Sequence, residues 1–128
     1  MAVDRLQELQ SLLSDHAISG YSLISHTGCV ELAYGDLEDE LWPSKDTESI
    51  PNTLVQHILA TFRGAPPSHF DVASKRLVVV RQEDSYVYAV AKQCQLGISL
   101  HYLNTGILVV SYKGRQQMAN VGHLHETL

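Results

Sequence analysis

Hydrophobic and polar residues follow helix-like spacing in three parts of this chain. Near the N-terminus, Leu6, Leu9, Leu12 and Leu13 recur three or four positions apart, which predicts an amphipathic helix ending near Leu13. The same spacing predicts a middle helix over residues 50–62 and a closing helix over residues 115–128. Amphipathic helices need a surface to cover, so we expect all three to pack on a sheet.

Short apolar runs between turn residues predict six strands. Two form a hairpin over residues 20–34 around Gly28, which suits a turn position that needs positive φ. Four more follow the middle helix, over residues 76–81, 85–92, 97–103 and 106–112. The first of these is Leu-Val-Val-Val at its centre, so we expect both of its faces to be buried. Because short turns join antiparallel strands, the pattern predicts one α+β domain over residues 1–128, in the order α-β-β-α-β-β-β-β-α.

Composition and charge narrow the choice of partner. The 128 residues are 45% hydrophobic and 18% charged, as in a domain that buries its own core. Nine Lys+Arg against 14 Asp+Glu give a net charge of −5, which disfavours nucleic acid and anionic membranes as partners. We find no secretory signal and no apolar run near the ~20 residues of a membrane span. Cys29 and Cys94 fit a reducing cytosol, and we expect both as small buried residues without a disulfide.

No motif indicates catalysis, a metal or a cofactor. The glycines never reach the spacing of a phosphate loop or a dinucleotide turn. His123 and His125 lie close together, but zinc needs about four ligands and no other two are evident. The acidic residues within 36–40 lack the order of a calcium loop and predict a solvated loop. The sequence therefore favours a protein-interaction module, while an enzyme that uses Cys94 or His101 stays an alternative.

Aromatic residues on the predicted strands offer one further possibility. Such residues could stack on bases or prolines, although strands favour aromatic side chains in any case, and few positive charges accompany these. The residues are Tyr86, Tyr88, Tyr102 and Tyr112.

The order of elements and several local segments together resemble the profilin family over nearly the whole chain. Residues 28–33, Gly-Cys-Val-Glu-Leu-Ala, are similar to the Gly-x-Val-Trp-Ala segment of the profilin hairpin. Residues 75–79 resemble the family's Lys-Tyr-Met-Val-Ile strand, and residues 97–108 resemble its Gly-Ile-Thr-Ile-Lys-Lys-Thr-x-Gln-Ala-Leu-Val strand pair. Trp42-Pro43 stands where a Phe-Pro is common. The resemblance implies a profilin-like antiparallel sheet flanked by N- and C-terminal helices, with a middle helix.

The resemblance also implies a partner. Profilins are non-enzymatic cytoplasmic proteins of the cytoskeleton, mostly monomers, that bind monomeric actin on one face. That face uses basic residues of the middle strands and polar residues at the start of the last helix. The corresponding candidates in this sequence are Lys75, Lys92, His101, Gln116 and Asn120.

A second profilin face binds proline-rich segments through aromatic side chains, since flat rings pack well on an extended polyproline helix. The matching positions are occupied by Val3, Leu6, Glu31 and Thr127. None of these is aromatic, so the resemblance implies that the poly-proline site has been lost.

A roadblock- or longin-like scaffold subunit of a regulatory or motor complex remains the alternative. Those domains resemble this chain in the opening helix, the hairpin and the following helix, and they act as dimers. They usually have three strands after the middle helix, whereas this sequence predicts four. Self-association in solution would favour this alternative.

Overall fold

The computed structural model describes residues 3–38, 53–64, 68–72 and 74–119. Helices and strands follow one another along the chain, with a 3₁₀ turn at Lys92–Cys94. The elements are α1 (Val3–Ser14), β1 (Gly20–Ile24), β2 (Val30–Gly35), α2 (Thr53–Phe62), β3 (His69–Val72), β4 (Lys75–Glu83), β5 (Tyr86–Ala91), β6 (Gly97–Leu103), β7 (Gly106–Tyr112) and α3 (Gly114–Met118).

All of these strands belong to one antiparallel sheet in the order β2-β1-β7-β6-β5-β4-β3. The predicted α+β class is confirmed, and β6 and β7 have the predicted bounds. The predicted order is wrong in one respect, because five strands rather than four follow α2. The additional strand, β3, has only four residues, and its pairing with Lys75–Val78 of β4 stabilises it.

The sheet separates two apolar cores. On one face, α2 contributes Leu54, Val55 and Ile58, which pack with alternate residues of the central strands such as Ile98 and Val109. On the other face, Leu9 of α1 and Met118 of α3 pack with Tyr21, Leu108, Val110 and Tyr112. The terminal and middle helices therefore cover opposite faces of the sheet. Each helix buries its apolar side against the sheet, as its amphipathic pattern predicts.

The face covered by α1 and α3 also buries a polar group of side chains. Ser99 Oγ lies 2.8 Å from His101 Nε2 and 3.3 Å from the Tyr112 hydroxyl. The rings of Tyr86 and His101 are 5.2 Å apart. Each of these residues is at most 1% exposed, so the network is enclosed and supports the fold from within.

Three expectations about single elements need correction or fall outside the described residues. Cys29 is exposed rather than buried, because it follows the β1–β2 turn at the rim of the sheet. The side chain of Cys94 is outside the described part. The closing helix is described only at Gly114–Met118, and predicted helical residues 120–128 are likewise outside it.

Candidate partner-binding end of the sheet

One end of the sheet gathers residues that are far apart in sequence. We call it the α3 end: it comprises the start of β4, the Lys92–Cys94 turn after β5, the start of β6, the end of β7, and α3. Antiparallel pairing brings these elements together, since Leu77 pairs with Ala91 and Gly97 pairs with Tyr112. The Lys75 ammonium donates to Gln95 Oε1 over 3.1 Å, and α3 contacts the Lys92–Cys94 turn. We call the opposite end, with its turns at residues 25–29, 84–85 and 104–105, the hairpin end.

Three of the five sequence-predicted site residues converge on the α3 end. Lys75, Lys92 and Gln116 all lie there, and all three are exposed. Among the described residues, no carboxylate lies within 4.0 Å of either lysine, so neither charge is neutralised by a described neighbour. The α3 end can therefore present two cations and an amide to a partner.

The other two candidates differ. His101 is only 1% exposed, so it does not belong to the exposed surface. Alternation along β6 places His101 on the face opposite Ile98 and Leu100, and that face is covered rather than solvated. Asn120 lies outside the described residues.

The outer part of β4 adds an apolar surface that the sequence did not predict. Val78 is 51% exposed and Val80 is 58% exposed, although the Leu-Val-Val-Val run predicted burial on both faces. Val78 lies opposite Val90, which packs in the core beneath α3, so Val78 is on the same face as α3 and one strand further out. A bulge interrupts the register between Val79 and Arg81, and bulges re-aim side chains near functional sites. Exposure of these valines follows from the position of β4 beside the short edge strand β3.

Hydrogen bonds hold α3 against the rest of this end. The Lys113 ammonium lies 2.8 Å from Asp36 Oδ2. The Gln117 side chain accepts from the Lys113 backbone N–H over 2.7 Å and donates to the His16 carbonyl over 3.0 Å. Lys113 and Gln117 are thus used to position α3, which leaves neighbouring Gln116 exposed.

Backbone strain is concentrated in the same place. The described non-glycine residues with positive φ are His16 (φ 60), Ser74 (φ 63) and Gln93 (φ 61), in the loops before β1, before β4 and after β5. All three loops lie at the α3 end. A left-handed conformation costs a non-glycine residue about 1 kcal/mol or more, and strained positions cluster at functional sites.

The buried tyrosines are shifted toward their neutral form. Burial raises the pKa of Tyr86 to about 12, although the Arg81 guanidinium, 5.4 Å from the ring, lowers it. Burial also raises the pKa of Tyr112, and the hydrogen bond with Ser99 lowers it. Within the described ranges, no three or more His, Cys, Asp or Glu side chains come together in a way that could hold a metal ion.

The strand tyrosines do not form one stacking platform. Tyr86 and Tyr112 are both at most 1% exposed. Tyr102 is 43% exposed on the opposite face at the hairpin end, where its ring lies 5.3 Å from that of Phe62. Its hydroxyl is 2.9 Å from His26 Nδ1, so this ring is already engaged.

Among the positions that correspond to the poly-proline site, Glu31 is exposed on β2. Val3 and Leu6 lie on α1, and their side chains are outside the described part, as is Thr127.

Comparison with known proteins identifies the fold. No protein-family model matches the chain, and no curated protein matches it in sequence. Among solved structures it is similar to Acanthamoeba castellanii profilin IA, with a TM-score of 0.65 and 18% identity over 92% of this chain and 86% of that one. LokiProfilin1 and LokiProfilin2, the latter in a complex with rabbit actin, each give a TM-score of 0.63 over 100% of this chain and 97% of theirs, at 12% and 10% identity. The chain therefore has a divergent profilin-like fold.

The similarity confirms the fold implied by the sequence. Five strands follow α2 in this profilin-like sheet, whereas a roadblock- or longin-like domain usually has three. The difference is larger than the sequence predicted, since four strands were expected. No helix in the described residues combines the length and the apolar character needed to span a bilayer.

Proposed function

We propose that this chain is a non-enzymatic, profilin-like protein of the cytoplasm and cytoskeleton that binds monomeric actin through its α3 end. The observation that carries the proposal is the convergence of Lys75, Lys92 and Gln116 on one end of the sheet, where Val78 of β4 is also exposed. Similarity to a LokiProfilin2 chain solved in complex with rabbit actin supports actin as the partner.

The chemistry of this end suits a protein partner. Val78 and Val80 supply apolar area that a partner can remove from water, which is the main source of association free energy. Lys75 and Lys92 lie at the same end of the sheet and add charge there that orients the partner and speeds encounter. A standard interface buries about 800 Å² per partner, which one side of a 128-residue domain can provide.

An enzymatic role is not part of the proposal. Ser99 Oγ lies 2.8 Å from His101 Nε2, and both side chains are at most 1% exposed among packed strands. A substrate has no access to them without opening the core. Binding without chemistry is therefore the activity that we assign, with the protein acting as a monomer by itself.

Loss of poly-proline binding is a further part of the proposal. The exposed Glu31 carboxylate stands where the resemblance expects an aromatic ring on the hairpin. A carboxylate offers neither a flat apolar surface nor a hydrogen-bond donor to a polyproline helix. Titration with a proline-rich peptide should give no saturable binding, and micromolar affinity would contradict this part.

Charge reversal at the α3 end tests actin binding. We expect the Lys75→Glu/Lys92→Glu variant to bind monomeric rabbit actin at least tenfold more weakly than the unaltered chain, by calorimetry or sedimentation. The matched comparison is Lys92→Glu against Arg63→Glu, since Arg63 lies at the hairpin end and its reversal changes the net charge equally. Arg63→Glu should leave the affinity within about twofold. Absence of binding by the unaltered chain, or equal effects of the two single reversals, would overturn the proposal.

A further inference from the structure

The short helix α3 depends on its contacts for its position. It has five residues, Gly114–Met118, and an isolated helix of that length is not stable in water. Its exposed residue Gln116 belongs to the proposed actin surface, while Met118 is only 8% exposed. The packing position of Met118 therefore also determines the position of Gln116 relative to Lys92.

The Met118 side chain packs directly on Gly97, the first residue of β6. A Cβ atom added at Gly97 would lie 3.0 Å from Met118 Cε, 3.3 Å from the Ala89 carbonyl oxygen and 3.4 Å from Tyr88 Cε1. Gly97 is not among the residues with positive φ, so its backbone does not require glycine. The absence of a side chain there provides space, and Met118 fills that space.

Lys113, just before α3, and Gln117, within it, are held by contacts that do not involve Met118. Lys113 is tied to Asp36, and Gln117 is bonded to the Lys113 backbone and to the His16 carbonyl. A valine at position 97 would displace the Met118 side chain from β6, and α3 would then have to turn about its anchors at Lys113 and Gln117. We expect this turn to move Gln116 and to leave the sheet folded.

We propose that Gly97 is a positioning residue for partner binding: by lacking a side chain, it sets the depth at which α3 packs and hence the geometry of Gln116 and Lys92. The inference deepens the proposed function and rests on it for the identity of the partner. The position of α3 itself can be measured without actin.

A double-mutant cycle tests the proposal. Gly97→Val adds as many heavy atoms at the contact as Met118→Ala removes, so the two substitutions together conserve volume. Valine is also favoured in strands. We expect Gly97→Val to weaken binding of monomeric rabbit actin about tenfold, with a smaller effect for Gly97→Ala. The Gly97→Val/Met118→Ala chain should recover to within about threefold of the unaltered protein, although each single change weakens binding.

A structural readout accompanies the affinities. In NMR spectra without actin, Gly97→Val should shift the amides of Gln116 and Met118, and the second substitution should move them back. Ile107→Val is the stability control, because Ile107 is 1% exposed in the core beneath α2. It should lower the melting temperature and leave actin affinity unchanged.

The outcomes separate this inference from the proposed function. If affinity follows melting temperature in all variants, including Ile107→Val, or if the double variant fails to recover, Gly97 has no positioning role. Unmoved Gln116 amides in Gly97→Val would contradict the inference as well. If the unaltered chain does not bind actin, the proposed function fails, and the amide shifts still decide whether Gly97 sets the position of α3. Should Gly97→Val not fold, Gly97→Ala supplies the same comparison with a smaller displacement.

Discussion

The two ends of the sheet reverse the chain in different ways. At the hairpin end, the described positive-φ positions are glycines, such as Gly28 with φ 101, and the polar side chains satisfy one another. His26 is an example: its Nδ1 lies 2.9 Å from the Tyr102 hydroxyl, and its Nε2 lies 2.8 Å from the Leu103 carbonyl oxygen. At the α3 end, His16, Ser74 and Gln93 adopt left-handed conformations. Within the described ranges, left-handed backbone at non-glycine residues is thus found at the end that carries the proposed partner surface.

The largest expected effect is a difference in the free energy of unfolding between alanine substitutions of one glycine at each end. A Cβ at Gly106 would lie 2.5 Å from the Ile24 carbonyl oxygen, so Gly106→Ala must push β7 away from β1. We expect a loss of about 3 kcal/mol in the free energy of unfolding, measured by urea denaturation. Gly114 has φ 77 and nothing within 4 Å of its added Cβ, so Gly114→Ala should cost only about 1 kcal/mol. Equal costs would show that the close approach of Gly106 to the Ile24 carbonyl oxygen carries no energetic penalty.

Alkaline stability tests a property that the two ends share. Tyr86 lies at the hairpin end and Tyr112 at the α3 end, and burial raises the pKa of both, to about 12 for Tyr86. A raised folded-state pKa gives stability that is complete below the unfolded pKa near 10 and is lost as pH rises toward 12.

We therefore expect the free energy of unfolding to fall steeply between about pH 10 and 12. Urea denaturation at successive pH values, with tyrosinate absorbance alongside, measures the fall. Tyr86→Phe and Tyr112→Phe should each make it shallower. A stability that is constant to pH 12 would show that these hydroxyls are not buried in solution.

An apolar contact at the α3 end is the next effect in size. Val78→Asp should weaken binding of monomeric actin about tenfold, because a desolvated contact is replaced by a charge. The free energy of unfolding should change by less than about 0.5 kcal/mol, since Val78 is 51% exposed. Thr27→Asp places the same charge in an exposed turn of the hairpin end and should leave affinity unchanged. If both substitutions act alike, net charge rather than the surface of β4 controls binding.

The smallest effect concerns the strained backbone. Gln93→Gly should raise the free energy of unfolding by up to about 1 kcal/mol, because glycine adopts φ 61 without steric cost. Gln95 lies two residues away with φ −68, so Gln95→Gly should lower stability instead. Thermal unfolding of the two variants distinguishes them. Destabilisation by both would mean that Gln93 carries no relievable strain.

Much of the fold was predictable because its signals are local. β6 and β7 are apolar runs that begin at glycines and are joined by Asn104-Thr105, so their bounds follow from the sequence. The short strand β3 lacks such a signal. His69 and Asp71 alternate with two buried residues, and only pairing with β4 makes the segment a strand.

The site was predictable only in part, because exposure depends on what covers a face. Alternation along β6 correctly assigns His101 to one face, but cannot show that its side chain is buried there. For Val78 the error is opposite, since an apolar run predicts burial, whereas Val78 is 51% exposed on a strand next to the short edge strand β3. Lys75, Lys92 and Gln116 came from the resemblance, and antiparallel pairing explains why they converge.

Hydrogen exchange of backbone amides with and without monomeric rabbit actin compares the two ends in one experiment. Binding through the α3 end should slow exchange in residues 92–96 and 114–118 and leave the turns at residues 25–29 and 104–105 unchanged. Slowed exchange confined to the hairpin turns, or no change anywhere at saturating actin, would contradict the assignment of the α3 end as the actin-binding surface.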